Sequence, residues 1–334
     1  MSIAFAFDID GVLIKGKKPI PEKHIPFILL TNGGGMTEEE HVALIGERLG
    51  VSLSKDQLVQ SHTPYLDLVP IYESKNVLVI GGASDNIRTT AKHYGFQKLF
   101  TLSDFVLAFE GIHPFPGMTL AKHMEIADRS RADLLRNGAK IAAILVWSSP
   151  HDWLLGQQIL LDLLRPTKDG GSPHRSPPEG GRPKLYVSNL DFEWATGYKL
   201  PRLAQGGFFA AFEAIWGKAT KGRTKLEYVQ YGKPLQATFE YGERALRRYN
   251  DRLNTKNGTS NRIKTVYMIG DNPESDIKGC NRYKSPFRTA WKSVLVETGV
   301  YRAGTRPTHT PTRVASSCKD AVEWALQDEG YRLP

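Results

Sequence analysis

The chain has 334 residues, of which 40% are hydrophobic and 24% are charged, and its formal net charge at pH 7 is +9. This composition is typical of folded globular proteins and excludes a chain that is disordered throughout, while the length suits two domains. The basic residues are dispersed and form no RNA- or DNA-binding motif, so nucleic acid is not an expected partner.

The cysteine content and the apolar runs exclude further classes. Cys280 and Cys318 are the two cysteines, and neither lies in a CxxC motif, so neither a disulfide framework nor a zinc site is predicted. No apolar run approaches the roughly 18 residues of a membrane span. The first predicted strand begins almost at once, so we expect no leader peptide in this chain.

The opening stretch joins an apolar run to two acidic residues. Residues 3–7 are all apolar, Asp8 follows directly, and Asp10 stands two positions later. Such a run predicts a strand that is buried on both faces of a parallel sheet, where ligands bind at the carboxyl ends of the strands. Two neighbouring carboxylates there favour a divalent cation with oxygen ligands, most often Mg²⁺. Taken alone, the pattern also fits an acidic turn.

A second buried strand is predicted at residues 25–30, and it leads into Thr31, Asn32 and three glycines. Glycines let backbone N–H groups approach an anion closely, and a hydroxyl adds a donor. Taken alone, this pattern also fits a plain turn between a strand and a helix. Thr37 and Glu40 form a capping-box pattern, which predicts that the next helix begins here.

The connection between these two strands is short. Parallel neighbours need a crossover of about a dozen residues or more, usually a helix. Residues 11–21, however, have the Gly and Pro content of a loop. We therefore predict no helix longer than one turn in residues 11–25, and an unusually exposed sheet face beside residues 25–30.

The middle of the chain predicts further alternating strands and helices. Ser149 and Pro150 have the pattern of a helix start, and Gly217 that of a helix end. Proline- and glycine-rich residues 166–183 predict an exposed loop, and residues 254–261 a second polar loop. The predicted strands of this region are residues 77–80, 142–147 and 185–188.

The C-terminal third repeats the pattern of the opening. An apolar strand at residues 266–269 is followed by Asp271, with Ser275 and Asp276 shortly after it. Lys233 stands earlier, between a glycine and a proline. These segments together supply acidic residues at two strand ends, a hydroxyl beside a glycine-rich turn and one lysine. Phosphoryl transfer needs such groups, because its catalysis is mostly positioning and neutralisation of charge.

At this point the sequence resembles the haloacid dehalogenase superfamily of hydrolases over nearly its whole length. The resemblance rests on four segments in the family's order: Phe-Asp-Ile-Asp-Gly-Val at 7–12, Leu-Leu-Thr-Asn at 29–32, Gly-Lys-Pro at 232–234 and Ile-Gly-Asp-Asn-Pro-Glu-Ser-Asp at 269–276. The long insertion is similar to the α/β cap of the class IIA phosphatases. Residues 31–35 and 296–301 resemble the eukaryotic group named after the cat-eye-syndrome critical region.

The resemblance implies an α/β fold with a three-layer Rossmann-like parallel-sheet core and an inserted α/β (C2-type) cap domain. The core would comprise residues 1–74 and 228–334, and the cap residues 75–227 with the polar loop at 166–183. It also implies a homodimer through the cap and a mitochondrial location, with a cytoplasmic location as the alternative.

Catalytic roles follow from the same resemblance. Asp8 would be the nucleophile and form an aspartyl-phosphate, and Asp10 would protonate the leaving oxygen and then activate water. Mg²⁺ would be held by Asp8, Asp271 and the backbone carbonyl of Asp10. Thr31 and the Asn32 amide would bind the phosphoryl oxygens, and Lys233 would offset charge.

Two further pairs complete the expected site. Ser275 and Asp276 would support the ligands from behind. Asn189 and Asp191 match a cap loop that faces substrate in relatives, although they also fit a plain turn.

The leading functional hypothesis is a Mg²⁺-dependent phosphatase, a phosphoric monoester hydrolase acting on a small phosphorylated metabolite, with a role in glycerophospholipid precursor metabolism left open. One alternative is another reaction of the superfamily, such as a phosphomutase or phosphonate cleavage. The other is a binding protein that kept the fold and lost turnover. A dehalogenase is disfavoured because Asp10 and Asp271 suit metal-assisted phosphoryl transfer.

Overall fold

Two parallel sheets organise the chain, which a computed structural model describes over residues 2–13, 25–82, 85–165 and 182–331. In chain order the strands of these residues are β1 (Ile3–Phe7), β2 (Phe27–Leu30), β3 (Leu58–Val59), β4 (Asn76–Gly82), β5 (Lys98–Phe100), β6 (Ala143–Pro150), β7 (Lys184–Val187), β8 (Glu193–Trp194), β9 (Arg202–Leu203), β10 (Val229–Gln230), β11 (Thr265–Gly270), β12 (Ala290–Val296) and β13 (Arg313–Ala315).

Helices connect most of these strands, as parallel pairing requires. The α-helices of the described residues are α1 (Glu38–Leu49), α2 (Val69–Tyr72), α3 (Asn86–Tyr94), α4 (Leu102–Ala108), α5 (Leu120–Ile126), α6 (Arg129–Arg136), α7 (Trp153–Leu164), α8 (Gln205–Ala219), α9 (Gln236–Asn257), α10 (Lys278–Arg282) and α11 (Cys318–Asp328). None of the helices in this part of the chain is long and apolar enough to cross a membrane.

The larger sheet has six parallel strands in the order β13-β12-β11-β1-β2-β3, so β1 lies between β11 and β2. Phe7 at the end of β1 pairs with Ile269 near the end of β11. Because the three strands run in the same direction, the residues that follow them lie at one edge of the sheet. This topology brings Asp8, Thr31 and Asp271 to that edge.

Helices cover both faces of the larger sheet. On one face Phe7 and Leu29 pack with α1 and α11, and on the other Ile28 and Leu30 pack with α9 and α10. Burial on both faces explains why the strand sequences are apolar without alternation. This three-layer, Rossmann-like unit is the core.

The smaller sheet is also parallel, in the order β10-β7-β6-β4-β5, and it forms a second α/β unit inserted between β3 and α9. Helices α4, α6, α7 and α8 pack on one of its faces. Helix α3 and Tyr65, from the 3₁₀ segment Thr63–Leu68, pack on the other face. Strands β8 and β9 form a separate antiparallel pair within this inserted unit, which is the cap. The chain therefore folds as a parallel-sheet core with an inserted α/β cap.

Strand β10 changes one expected boundary. The sequence prediction starts the second core segment at residue 228, yet Val229 pairs with Tyr186 of β7 in the cap sheet. We propose that the second core segment begins after Gln230, while the end of the first segment at residue 74 stays a prediction.

The capping predictions for the first core helix are confirmed. The Thr37 hydroxyl accepts from the Glu40 backbone N–H, the Glu40 carboxylate accepts from the Thr37 N–H, and α1 follows. The last residue of α1 is followed by Gly50 at φ +68°, a left-handed conformation that glycine adopts without strain.

The predicted helix start at Ser149 and Pro150 is wrong. Both residues belong to β6, and α7 begins three residues after Pro150. Asp152 is the cap instead, because its side chain accepts from the Leu155 backbone N–H at 3.0 Å. Serine, proline and aspartate all favour helix starts, so composition alone did not separate the end of the strand from the cap.

The helix end predicted near Gly217 lies two residues before the observed one, and the predicted polar loop 254–261 is in part helical. Helix α8 continues past Gly217 to Ala219, because buried Trp216 anchors its last turn by donating to the Thr224 carbonyl at 2.7 Å. Helix α9 continues into the expected polar loop 254–261, where its last residue, Asn257, is followed by Gly258.

The predictions for two loops lie largely outside the described residues. These are the absence of a helix in residues 11–25, of which 14–24 are not described, and the loop 166–183, of which 166–181 are not described. The expected exposure beside β2 is wrong for the described residues. Phe27 is half-buried, but Leu29 on the same face is buried because α1 packs over it through Val42 and Ile45.

Candidate active site

Two carboxylates mark the ends of adjacent core strands. Asp8 follows β1, and its backbone N–H continues the sheet ladder by donating to the Ile269 carbonyl at 2.9 Å. Asp271 follows β11, and both acidic side chains are buried. The two carboxylates therefore face one crevice for a topological reason, as the sequence predicted.

Asp276 joins them from a short helical turn, Pro273–Ile277. One oxygen each of Asp8, Asp271 and Asp276 lies within 4.8 Å of the others. The backbone N–H of Asn272 holds Asp276 by donating to its Oδ2 at 3.0 Å. The result is a buried cluster of three carboxylates.

One buried lysine faces this cluster. Lys233 Nζ lies 2.8 Å from Asp8 Oδ1 and 2.7 Å from Asp276 Oδ1, and the lysine side chain is only 1% exposed. Burial acts to lower the pKa of Lys233, but the charges of Asp276 and Asp8 outweigh it and raise that pKa above its ordinary value. Lys233 is therefore a fixed positive charge beside Asp8.

The charge balance of the cluster fits a divalent cation. Burial, followed by the charges of Asp8 and Asp276, raises the pKa of Asp271 well above its ordinary range, and burial raises that of Asp276 to about 6. Three carboxylates with one lysine leave surplus negative charge, which a hard cation with oxygen ligands would offset. The donor set of Asp8 and Asp271 therefore suits Mg²⁺.

A loop after β12 holds Asp271 in place. The Val300 backbone N–H donates to Asp271 Oδ2 at 2.6 Å. A side chain at Gly299 would place its Cβ 1.8 Å from the same oxygen, and one at Gly11 would place it 2.5 Å away. The Thr298 hydroxyl donates to the Gly11 carbonyl. Two glycines thus allow the backbone to close around this carboxylate.

Asp10 lies in the same crevice but outside the three-carboxylate cluster. A Cβ at Gly33 would lie 3.7 Å from Asp10 Oδ2 and 3.2 Å from Thr31 Oγ1, so Asp10 faces the glycine-rich loop. Burial, followed by the charge of Asp8, raises the pKa of Asp10 to about 6, although Lys233 opposes this shift. A carboxyl group with such a pKa can donate a proton near neutral pH.

The hydroxyl of Thr31 is oriented by the loop that follows it. Thr31 is buried, and its Oγ1 accepts from the Gly33 backbone N–H at 2.9 Å. That contact uses a lone pair of the hydroxyl and leaves its proton able to donate to an anion.

Asn32 links the core to both Lys233 and the cap. Its Oδ1 accepts from the Lys233 backbone N–H at 2.8 Å, and its Nδ2 donates to the Lys233 carbonyl at 3.0 Å and to Asp191 Oδ2 at 2.9 Å. Asn189 Nδ2 donates to the Asn32 carbonyl at 3.0 Å. Because the side chain of Asn32 is committed to these partners, only its backbone N–H is left to approach a phosphoryl oxygen.

The structure thus places most of the predicted site residues together. Asp8, Asp271 and Asp276 form one cluster, and Lys233 contacts two of its members, Asp8 and Asp276. Asn32 is hydrogen-bonded to Asn189 and Asp191. Burial raises the pKa of Asp191 to about 7. Ser275 is buried next to Asp276 in the chain.

Two contributors were missed by the sequence reasoning. The Val300 backbone amide lies in residues 296–301, which were noted only for their resemblance to a family subgroup. Gly299, just before it, was the one local sign of a tight turn at this position. His62 accepts from the Gly35 backbone N–H at 3.0 Å. A single histidine in a short loop carries no local signal of that role.

Comparison with protein families agrees with this geometry. A model of haloacid dehalogenase-like hydrolases matches residues 5–97, and a model of HAD-hydrolase-like proteins matches residues 230–321. The two matches contain the ends of β1, β2 and β11 and the lysine segment.

Two curated relatives cover almost the whole chain. A mitochondrial hydrolase of Saccharomyces cerevisiae is 36% identical over 97% of this chain and 96% of its own length. A cardiolipin synthase (CMP-forming)/mitochondrial hydrolase fusion protein of Schizosaccharomyces pombe is 37% identical over 97% of this chain, and the chain spans 53% of that protein.

Solved structures share the fold at low sequence identity. A hypothetical protein from Pyrococcus horikoshii has a TM-score of 0.59 at 18% identity, with 97% of this chain and 99% of that chain covered. A glycerol phosphate phosphatase from Mycobacterium tuberculosis in complex with magnesium has a TM-score of 0.53 at 16% identity, with 96% and 76% covered. These solved structures show the fold alone, whereas the two family models together match more than half of the chain and show that it belongs to the haloacid dehalogenase superfamily of hydrolases.

Proposed function

We propose that the protein is a Mg²⁺-dependent phosphatase that hydrolyses a small phosphorylated metabolite through an aspartyl-phosphate on Asp8. The observation that carries the proposal is the contact of Lys233 with Asp8 at 2.8 Å inside a buried cluster that also contains Asp271. A carboxylate nucleophile, a fixed cation and a site for a divalent ion are the parts that this chemistry requires.

The reaction uses two carboxylates in sequence. The Asp8 carboxylate forms a bond to phosphorus while the ester bond to the leaving oxygen breaks. Asp10 gives its proton to that oxygen, and its raised pKa supports this role. Asp10 then accepts a proton from a water molecule that attacks the aspartyl-phosphate, which releases inorganic phosphate and restores Asp8.

The remaining residues stabilise charge and hold the substrate. Asp8, Asp271 and the backbone carbonyl of Asp10 would hold Mg²⁺, which when bound neutralises charge on the phosphoryl oxygens. The Thr31 hydroxyl and the Asn32 backbone N–H donate to the same group. Lys233 offsets negative charge in the transition state.

Two residues support the site from behind. Asp276 holds the ammonium group of Lys233 at 2.7 Å. Ser275, buried beside it, fills the turn that carries Asp276.

Asn189 and Asp191 are proposed substrate contacts of the cap. They reach the core through Asn32, so they lie beside the loop that holds the phosphoryl group. With a pKa raised to about 7, Asp191 can accept or donate a hydrogen bond near neutral pH, which suits a hydroxyl group of the substrate.

A phosphorylated glycerol compound is the substrate class that we favour. The fission yeast relative is named as a fusion with cardiolipin synthase, and the mycobacterial structure as a glycerol phosphate phosphatase. Both names concern other proteins, but both concern glycerol-containing phosphates. The names of the fission yeast and budding yeast relatives both include a mitochondrial hydrolase, which supports a mitochondrial location for this protein.

A homodimer through the cap is part of the same proposal. Trp194 and Leu203 of the β8–β9 pair, with Phe192 just before β8, are exposed apolar side chains on the cap. Sedimentation analysis of the wild type and of Trp194→Ser would test it. We expect a dimer that the substitution weakens, and a wild-type monomer would refute it.

Hydrolysis of p-nitrophenyl phosphate tests the proposed activity. We expect turnover in Mg²⁺, loss of turnover in EDTA, and loss of turnover in Asp8→Asn. Asp67→Asn, at an exposed position, is the control and should behave as the wild type. Equal turnover in Asp8→Asn, or turnover that EDTA leaves unchanged, would refute the mechanism. A folded wild-type protein without turnover on a panel of phosphate esters would favour the binding-protein alternative.

A further inference from the structure

We propose that His62 is a positioning residue that fixes the glycine-rich loop after Thr31 and couples that loop to the cap. The inference rests on the proposed phosphatase function, because it assigns the loop a part in holding the phosphoryl group. It concerns a fully buried imidazole that the reaction scheme does not otherwise use.

Both ring nitrogens of His62 have partners on different units of the protein. On the core side, the Gly35 backbone N–H donates to His62 Nε2 at 3.0 Å. On the cap side, His62 Nδ1 lies 2.9 Å from the hydroxyl of Tyr94 in α3. The imidazole therefore bridges the loop and a helix that packs on the cap sheet.

The hydrogen-bond network fixes the tautomer of His62. The Tyr94 hydroxyl donates its proton to Glu38 Oε1, so it accepts from a proton on His62 Nδ1. Nε2 then carries the lone pair that accepts from Gly35. Thr63 Oγ1 donates to the same Glu38 oxygen at 2.7 Å. The carboxylate of Glu38 in α1 thus orients the whole chain of donors.

The imidazole of His62 is packed against both the glycine-rich loop and the cap. A side chain at Gly34 would place its Cβ 2.5 Å from His62 Cδ2, so a glycine is needed for the ring to approach the loop. The ring of Trp147 in cap strand β6 also lies 4.8 Å from that of His62, centroid to centroid. The ring is held between the core loop and the cap sheet.

The loop needs such a support because three successive glycines are conformationally free. Ordering glycine costs more backbone entropy than ordering any other residue. Gly33 is held by Thr31, and Gly35 is held by His62. The Asn32 backbone N–H, proposed to donate to the phosphoryl group, lies in the same loop just before these two anchors, and a displacement of about 1 Å can reduce the rate roughly a hundredfold.

Substitutions at both ends of the bridge separate positioning from bulk stability. His62→Phe keeps an aromatic ring and removes both hydrogen bonds, whereas His62→Gln keeps an acceptor for Gly35. Tyr94→Phe removes only the link to the cap. Tyr72→Phe is the matched control, since Tyr72 is a buried tyrosine whose hydroxyl bonds Tyr186 within the cap, away from the loop.

Two measurements are made on each full-length variant. The first is hydrogen exchange of the amides of residues 33–36 without substrate. The second is kcat and KM for p-nitrophenyl phosphate in Mg²⁺. In His62→Phe we expect amide exchange at residues 33–36 to become faster and kcat to fall at least about tenfold, because the loop would no longer be held in position. We expect His62→Gln to recover most of both, Tyr94→Phe to fall between them, and Tyr72→Phe to match the wild type in both.

The inference is overturned if His62→Phe and Tyr72→Phe give equal exchange at residues 33–36 and equal kcat. It is also overturned if His62→Gln is as impaired as His62→Phe, because the acceptor would then be irrelevant. If His62→Phe does not fold, Tyr94→Phe and His62→Gln decide the matter. An inactive wild type would refute the proposed function, and the exchange data would still test the role of His62.

Discussion

Lys233 sets the charge balance of the site at the scale of single residues. Its ammonium lies within 2.8 Å of Asp8 and 2.7 Å of Asp276, in surroundings that exclude water. Removing one partner of a buried ion pair leaves an uncompensated charge and costs about 3–5 kcal/mol. The same lysine also faces the oxygens on which charge develops during phosphoryl transfer.

Lys233→Gln therefore should reduce both activity and stability. We expect kcat to fall at least about a hundredfold, the range seen when a donor to developing charge is removed. We expect the free energy of unfolding, measured by urea titration without Mg²⁺, to fall by about 3–5 kcal/mol. Lys292→Gln is the control, because its partly exposed pair with Asp328 should contribute only about 0–1 kcal/mol. Equal behaviour of the two variants would contradict this account.

His62 makes a pH-dependent contribution to stability. Burial, with a smaller effect of His41, lowers the pKa of His62 to about 3. In the unfolded chain the pKa of the His62 side chain would be near 6.5. Below that pH the unfolded state therefore binds one more proton at His62 than the folded state does. Stability from this group is complete above about pH 6.5 and falls by about 1.4 kcal/mol per pH unit as the pH drops towards 3.

Urea unfolding of the wild type and His62→Gln between pH 7 and pH 5 measures this contribution. As the pH falls, the free energy of unfolding should decrease more steeply for the wild type than for the variant, because glutamine does not titrate. The difference in slope should approach the value for one bound proton. Parallel curves for the two proteins would mean that His62 is protonated to the same extent when folded and unfolded.

Residues differ in how far the sequence reveals them. Asp8 and Asp271 were predicted because each follows an apolar strand, and Lys233 because it stands in a recognisable Gly-Lys-Pro segment. His62 and the Val300 amide were not predicted. Their roles depend on contacts with Gly35 and Asp271 that no local pattern encodes.

At the scale of elements, two backbone turns close around the carboxylate of Asp271. The turn after β12 carries Gly299, whose Cβ would lie 1.8 Å from Asp271 Oδ2, and the turn after β1 carries Gly11 at φ +77°. Both turns pack on the carboxylate that ends β11. The ends of three core strands therefore shape the proposed metal site together.

Gly299→Ala should weaken Mg²⁺ binding, since the new methyl group would displace Asp271. Changes next to a metal ligand typically reduce metal affinity about 10–100-fold, and we expect a fall in that range by isothermal titration calorimetry. Gly217→Ala is the control, because a Cβ there contacts nothing within 4 Å and helix α8 accommodates alanine. Unchanged Mg²⁺ affinity in Gly299→Ala would show that Asp271 is not a ligand.

Element boundaries were predicted where a local pattern has one meaning. Buried strands were recognised from uninterrupted apolar runs, and α1 from its capping box. The start of α7 was mispredicted because Ser149, Pro150 and Asp152 all favour helix starts. In the structure Asp152 is the cap, since its side chain accepts from the Leu155 backbone N–H. Gly217 did not end α8, because the anchored side chain of Trp216 outweighs the low helix propensity of glycine.

At the scale of the whole molecule, the site is built from both units. Asn32 of the core is bonded to Asp191 across 159 positions of sequence and to Lys233 across 201. The alternation of strands and helices, with the family resemblance, predicted the core and an inserted cap. The seating of the cap on Asn32 and His62 could not be predicted, because it depends on contacts between distant segments.

In the proposed mechanism Asp8 becomes phosphorylated during turnover, and the Asp10→Asn variant should let this phosphorylated form accumulate. A p-nitrophenolate leaving group needs little protonation, so the first step should persist, while the second lacks the base that activates water. Rapid mixing with p-nitrophenyl phosphate and Mg²⁺, followed by acid quench and peptide mass spectrometry, measures the intermediate. The aspartyl-phosphate mechanism predicts a burst of about one equivalent of p-nitrophenolate, with one phosphoryl group on the peptide that contains Asp8. Turnover without a burst, or a phosphoryl group on any other residue, would contradict it.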